Sequence, residues 1–281
     1  MSAHKAYENS DFLHSSQARE IRILAEFSEP RMRLKKHGVD GTIVFFGSAR
    51  TLPLDVATAN LAKLEADPTA TAAQIRKAKG LVKVAPYYEA ARELSRRLSE
   101  WSREGEHGLT LCSGGGHGIM GACNQGASDA GAPSVGFNIS LPYEQTANEW
   151  ITPELEFQFH YFFLRKFWFV NSARALVVFP GGFGTLDEFM EVLTLIQTKK
   201  LERPMPIVLF GRDYWQKIMD LEALADFAMI DPNDVNLWHW SDTADDAFAY
   251  LTGELKDVHL RVPKVGQDAS TMGLDVAEAG V

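Results

Sequence analysis

The run Ala175-Leu-Val-Val-Phe179, followed directly by Pro180-Gly-Gly-Phe-Gly-Thr-Leu-Asp-Glu188, constrains this chain more than any other segment. The apolar, partly β-branched run reads as a buried strand; Pro180 and the glycines break it, and from Thr185 the pattern turns helical. A glycine loop therefore joins a strand to a helix. Such a loop lets backbone N–H groups approach an oxyanion closely, and the helix start adds unpaired donors and the positive end of its dipole. The expected guest is a phosphate, cradled by Gly181, Gly182, Phe183, Gly184 and Thr185. Glu188, one turn on, sets a carboxylate near the remainder of a phosphorylated ligand. Thr185-x-x-Glu188 also has the spacing of a capping box, in which the glutamate only returns a hydrogen bond to the helix start.

The charge balance limits what else the chain can do. A net charge of −9 and a pI near 5.4 exclude the broad basic footprint of a nucleic-acid or membrane-surface binder, so any phosphate site must be local. With 281 residues, 46% of them hydrophobic, a sizeable core is available. Cys112 and Cys123 form no CxxC pair, and no secretory segment precedes them, which argues against a disulfide scaffold or structural zinc and for a cytoplasmic protein. No metal or cofactor is expected, and no apolar run reaches the roughly 20 residues of a membrane span.

Residues 1–40 read as a helical extension, with helical spacing over 18–27 and the basic run RMRLKK at 31–36 as a solvated helix end. Residues 41–256 read as a single nucleotide-binding domain of α/β class, a Rossmann-like doubly wound parallel sheet with helices on both faces. Its strands are expected near 42–46, 109–113, 133–141, 175–179, 206–210 and 237–240, nearly continuous in apolar residues as buried parallel strands are. Residues 51–84 form a surface insertion broken at Asp67-Pro68, without recognisable chemistry. Amphipathic helices are expected at 87–101, 214–219 and 244–255. Residues 157–173 (FQFHYFFLRKFWFVNSA) read as one aromatic-rich helix carrying Arg165 and Lys166. The helix over 186–200 is apolar on more than one stripe, which points to a subunit interface. Residues 257–281, rich in small and acidic residues, read as a flexible tail.

Three loops end strands: Gly47-Ser48-Ala49-Arg50, Ser113-Gly-Gly-Gly-His-Gly118 and the loop after Pro180. In a parallel sheet, ligands bind outside the carboxyl ends of the strands, so the three can converge on one cleft. Gly114, Gly115 and Gly116 then join the phosphate site, with Ser48 and Asn138 as ribose or phosphate contacts. His117 reads as a local polar contact at a helix start. Gly116-x-Gly118-x-x-Gly121 formally matches the dinucleotide fingerprint, but the next strand carries Asn138 and Ser140 where that reading requires an acidic residue for the ribose. No GxxxxGK[ST] sequence is present.

SGGGHGIMG together with PGGFGTLDE resembles the LOG (Lonely Guy) family of cytokinin riboside monophosphate phosphoribohydrolases, a group often labelled lysine decarboxylases. The resemblance runs over residues 42–200 and takes in GSAR, GFNISLP and FFLRKFWFV, the last looking like the longer bacterial branch. It implies a hydrolase that cuts the N-glycosidic bond of a nucleoside 5'-monophosphate, releasing free base and ribose 5-phosphate. It also implies that Glu188 and Arg165 are catalytic, that Lys166 follows in the site, and that the protein is a homodimer or a larger assembly of dimers. A decarboxylase would need a lysine bearing pyridoxal phosphate, and the glycine loops hold none. Where plant members continue RKAxM, this chain has Arg165-Lys166-Phe167-Trp168-Phe169. That substitution leaves AMP or another monophosphate as credible a substrate as a cytokinin precursor. The alternative function is a non-catalytic nucleotide or molybdenum-cofactor carrier or sensor using the same pocket; a binder has no need of a carboxylate at the sugar.

Overall fold

The computed structural model describes residues 5–141 and 146–256. The extension supplies α1 (Ser10–His14) and α2 (Arg19–Lys36). Next come β1 (Gly41–Phe46), α3 (Leu54–Ala66), α4 (Ala72–Val84), α5 (Pro86–Glu104), β2 (Leu109–Ser113), α6 (Ile119–Asp129) and β3 (Ser134–Ile139). The remainder is β4 (Glu156–Phe159), α7 (Phe162–Ser172), β5 (Ala173–Val178), α8 (Phe183–Gln197), β6 (Ile207–Phe210), α9 (Arg212–Ile218), α10 (Glu222–Asp226), β7 (His239–Ser241) and α11 (Ala244–Leu255). The strands form one parallel sheet ordered β4-β3-β2-β1-β5-β6-β7. The Rossmann-like α/β expectation is therefore met.

Alternation along each strand divides the interior in two. On β1, Ile43 and Phe45 pack with Leu94 and Leu98 of α5, Ala122 of α6 and Leu251 of α11. Val44 and Phe46 belong instead to a cluster with Trp168 and Phe169 of α7, Phe189 of α8 and Leu34 of α2. Both faces are covered, which explains why the central strands are mostly apolar. The chain builds β1 to β4 in one direction, then returns to place β5 on the other side of β1. The strand order thus reverses between β1 and β5, the crevice where sheets of this type bind ligands.

Several sequence expectations are corrected. Residues 157–173 are not one helix: Phe157 and Phe159 alternate with Gln158 in edge strand β4, both rings buried, and α7 starts only at Phe162. The last strand lies at His239–Ser241, displaced from 237–240. The basic run at 31–36 is the end of α2, which continues through Pro30, and Arg33 is no mere solvated charge. It donates to the Glu156 carbonyl and lies over the Phe157 ring at 3.8 Å. The segment 51–84 forms the helices α3 and α4, broken at Asp67, whose carboxylate accepts from the Thr69 N–H. The tail at 257–281 lies outside the described residues. Among the described residues, no helix is long and apolar enough to cross a membrane.

Candidate active site

Main-chain contacts draw the three glycine loops together. Ser48 N–H donates to the Pro180 carbonyl, and the Ser48 carbonyl accepts from Ile119 N–H, both at 3.0 Å. Gly118, at φ +67°, lies so close to Ser48 and Ala49 that any side chain would overlap their backbone. Ser48 itself uses its hydroxyl to accept from Arg50 N–H. The loop at 114–118 is held by buried polar side chains that no local pattern singles out. Asn148 Nδ2 donates to the carbonyls of Gly115 and Gly116 and to Asn124 Oδ1, while Ser113 Oγ accepts from Gly115 N–H and donates to Asn124. Asn138, 2% exposed, sits against Gly115, and its Nδ2 has no hydrogen-bond partner among the described residues. His117 is exposed and meets Thr146.

The third loop leads into α8. This helix begins at Phe183 with Gly182 as its N-cap, two residues earlier than the pattern predicts. Thr185 is consequently the third helical residue, its N–H bonded to Gly182 O. The capping-box reading of Glu188 therefore fails, because Glu188 lies a turn too deep to reach the helix start. The first intrahelical bonds come from Thr185 and Leu186 to Gly182 O, which leaves the amides of Phe183 and Gly184 as donors for a guest. Thr185 is buried with its hydroxyl against Gly181, whose carbonyl accepts from the Tyr214 hydroxyl at 2.7 Å. The Phe183 side chain is 93% exposed.

Space separates two reasons for glycine here. A methyl group at Gly184 would meet nothing within 4 Å, so packing does not demand glycine there, whereas close approach of a ligand would. Gly184→Ala should raise stability by up to roughly 1 kcal/mol, as alanine does within a helix, and weaken AMP binding. Calorimetric titration beside thermal unfolding checks both; unchanged affinity would remove Gly184 from the phosphate site.

Glu188 is 4% exposed, and Arg165 Nη2 approaches its Oε1 at 3.6 Å. That is too long for a charge-assisted hydrogen bond, and neither Glu188 Oε1 nor Arg165 Nε finds a hydrogen-bond partner among the described residues. The Arg165 guanidinium lies over the rings of Phe162 at 4.8 Å and Phe169 at 5.5 Å. Phe169 is itself a core residue, packed on Phe46 and Phe137. A narrow apolar cavity lined by Phe46, Leu176, Val192 and Met205 adjoins Glu188. Burial in these surroundings pushes the Glu188 carboxyl up to about 7, against the pull of Arg165 and Lys166. Burial also lowers the Arg165 guanidinium, opposed by Glu188. Lys166 is engaged by Asp187 at 2.9 Å and Glu191 at 2.7 Å, which ties α7 to α8. Thr185 and Glu188 on α8 are thus buried, and Arg165 on α7, partly buried, reaches Glu188 across the gap between the two helices. Among the described residues no cluster of side chains could hold a metal ion.

The family described as "Possible lysine decarboxylase" matches residues 120–251, which include α7 and α8 but not the first two glycine loops. A curated relative, cytokinin riboside 5'-monophosphate phosphoribohydrolase LOG of Oryza sativa subsp. japonica, is 31% identical over 127 residues. That match spans 44% of this chain and 49% of the rice protein, about half of each. Among solved structures, the molybdenum cofactor carrier protein from Chlamydomonas reinhardtii is similar at 19% identity and TM-score 0.43, covering 77% of this chain and 98% of that one. The molybdenum cofactor binding protein from Rippkaea orientalis is similar at 17% identity and TM-score 0.43, with 75% and 94% covered. With the glycine loops and the two site helices in place, the family match and the identity to the rice protein show what this chain is similar to, over the half that carries α7 and α8.

Proposed function

We propose that this protein is a nucleoside 5'-monophosphate phosphoribohydrolase. The observation that carries the reading is the Arg165–Glu188 pair: the carboxylate is buried one turn into the helix that follows the third glycine loop, yet it stays 3.6 Å from the guanidinium, with Glu188 Oε1 and Arg165 Nε without hydrogen-bond partners among the described residues. A buried ion pair kept for stability needs close, satisfied contacts to offset its desolvation. One whose atoms stay open suits a transient partner.

Cleavage of the bond between ribose C1' and the base nitrogen develops positive charge on the sugar and negative charge on the departing base. Water supplies the oxygen that ends on C1', and a proton ends on the base. Glu188, ionised, stabilises the sugar cation and takes the proton from the attacking water. A carboxyl near 7 is matched to that exchange at neutral pH. Arg165 keeps its charge at any relevant pH, so its role is electrostatic, toward the phosphate or the leaving base. The amides at the start of α8 with Thr185, and the loop at Gly114, Gly115 and Gly116, receive the phosphate; Ser48 and Asn138 stand at the sugar.

The reading includes a homodimer or an assembly of dimers. Phe162 and Phe163 are 48% and 55% exposed beside the site, and Leu186, Met190 and Leu193 of α8 are only partly covered. Exposed apolar surface of this kind marks contact faces.

Incubation with a panel of purine and pyrimidine nucleoside monophosphates, with free base followed by chromatography, tests the activity. Release from at least one is expected. Tight binding without release from any would replace the hydrolase with a carrier.

A further inference from the structure

The helix that carries Arg165 is held at its start by a residue 134 positions away. The Glu26 carboxylate on α2 accepts from the backbone N–H of His160 at 2.9 Å and of Tyr161 at 3.1 Å, the two residues that lead into α7. The N-cap Tyr161 offers no side-chain cap of its own. Glu26 therefore does from a distance what the returning glutamate of a capping box does locally, satisfying the N-cap amide, and brings negative charge to the positive end of the helix dipole. The same stretch of α2 makes further contacts with α7. The Glu26 carbonyl accepts from Trp168 Nε1 at 3.1 Å, and Phe27 packs on Phe167 with centroids 5.0 Å apart.

The connection to the site is short. Tyr161, whose N–H is held by Glu26, accepts at its carbonyl from Arg165 N–H at 3.3 Å. One residue and two hydrogen bonds thus separate the Glu26 carboxylate from the Arg165 backbone, and the Arg165 side chain reaches Glu188. The far end of α7 is anchored within residues 41–256, where Arg174 and Arg203 donate to the carbonyls of Val170, Asn171, Ser172 and Ala173. The start of α7 takes its carboxylate from the extension instead.

We propose that Glu26 is a positioning residue for the Arg165–Glu188 pair, so that the N-terminal extension sets the geometry of the site rather than only adding mass to the fold. Its kinetic consequence rests on the hydrolase reading; its structural consequence does not. The charged groups around Glu188 divide by helix: Arg165 and Lys166 come from α7, while Asp187 and Glu191 come from α8. The strands beside it contribute the apolar Phe46 and Leu176. Loosening the start of α7 draws back cations, leaves the carboxylates in place and relieves the burial that raises the Glu188 carboxyl, so the pH at which Glu188 ionises moves with α7.

The test uses the full chain with Glu26→Ala and Glu26→Gln, and Leu34→Ala as a control that removes a fully buried side chain elsewhere on α2. The Glu188 carboxyl is titrated by carbon-13 NMR, alongside thermal unfolding and turnover of a nucleoside monophosphate. Glu26→Ala should move the Glu188 midpoint by about half a pH unit or more in either direction. It should also lower kcat about tenfold, with KM changed less than about twofold, as expected for misplaced rather than missing groups. Glu26→Gln, which keeps one acceptor, should fall between. Leu34→Ala should lower the melting temperature without moving the midpoint. A wild-type midpoint in Glu26→Ala, or an equal shift in Leu34→Ala, overturns the proposal. Should the wild-type protein release no base, the hydrolase reading falls, and the NMR midpoint still decides the role of Glu26.

Discussion

Glu188→Gln is expected to abolish base release while leaving a folded protein that is more stable than the wild type above pH 7. Loss of the catalytic carboxylate should lower kcat by about a thousandfold or more, since an electrostatic or proton-transfer group of this kind contributes on that scale. Stability should move the other way. A carboxyl raised from 4.5 to about 7 holds its proton more tightly in the folded chain than in the unfolded one. Its contribution is therefore fully present below the unfolded value and lost as pH rises through the folded one. The cost at pH 8 is on the order of 3 kcal/mol, and glutamine never incurs it. The wild-type rate should accordingly fall about tenfold per pH unit below 7, where Glu188 is protonated, and level off above. Rate profiles and denaturant unfolding at pH 5, 7 and 8 check both halves. Residual turnover near the wild-type level, or a variant less stable at pH 8, would show that Glu188 is structural.

Gly118→Ala should be the most damaging single substitution in the glycine loops. Gly118 sits at φ +67° and ψ −134° as the N-cap of α6, a conformation costing a side-chain-bearing residue roughly 1–3 kcal/mol. Its new methyl group would fall 2.2 Å from the Ser48 carbonyl oxygen and 2.6 Å from the Ala49 carbonyl carbon. These are backbone atoms that cannot rotate away. Relief requires the first and second loops to part, breaking the Ile119 to Ser48 bond, so the total loss should exceed about 3 kcal/mol. Nucleotide affinity should fall with it, because the two loops share one cleft. Unfolding curves and AMP titration measure the pair; a loss below about 0.5 kcal/mol, the scale of a neutral surface change, would mean that the loops are not locked together.

The sheet was legible because each central strand is buried on both faces and so reads as a mostly apolar run, broken by glycine or proline near its end. The edge strand β4 was not: the alternation Phe157-Gln158-Phe159 is short and runs into the aromatic sequence of α7. The start of α8 was placed two residues late because Phe183-Gly184 carries no periodic signal, and that error alone produced the capping-box alternative for Glu188. Glu188 stands out in the sequence from its place one turn beyond the glycine loop, Arg165 only through a family resemblance, and the structure brings them together. Asn124, Asn148 and Glu26 were missed for a different reason. Each satisfies backbone groups that become neighbours only after folding, and such partnerships leave no mark in local spacing.

The bonds that stitch the three loops, from Ser48 to Pro180 and from Ile119 to Ser48, run entirely between peptide groups. The outline of the cradle is consequently indifferent to most of the side chains mounted on it. On the hydrolase reading, exchanges at the exposed Ala49, Arg50 or Phe183 would alter the rim of the cleft without redrawing the phosphate seat. On such a scaffold, new substrate preferences are reachable by single steps that leave the anchoring point untouched.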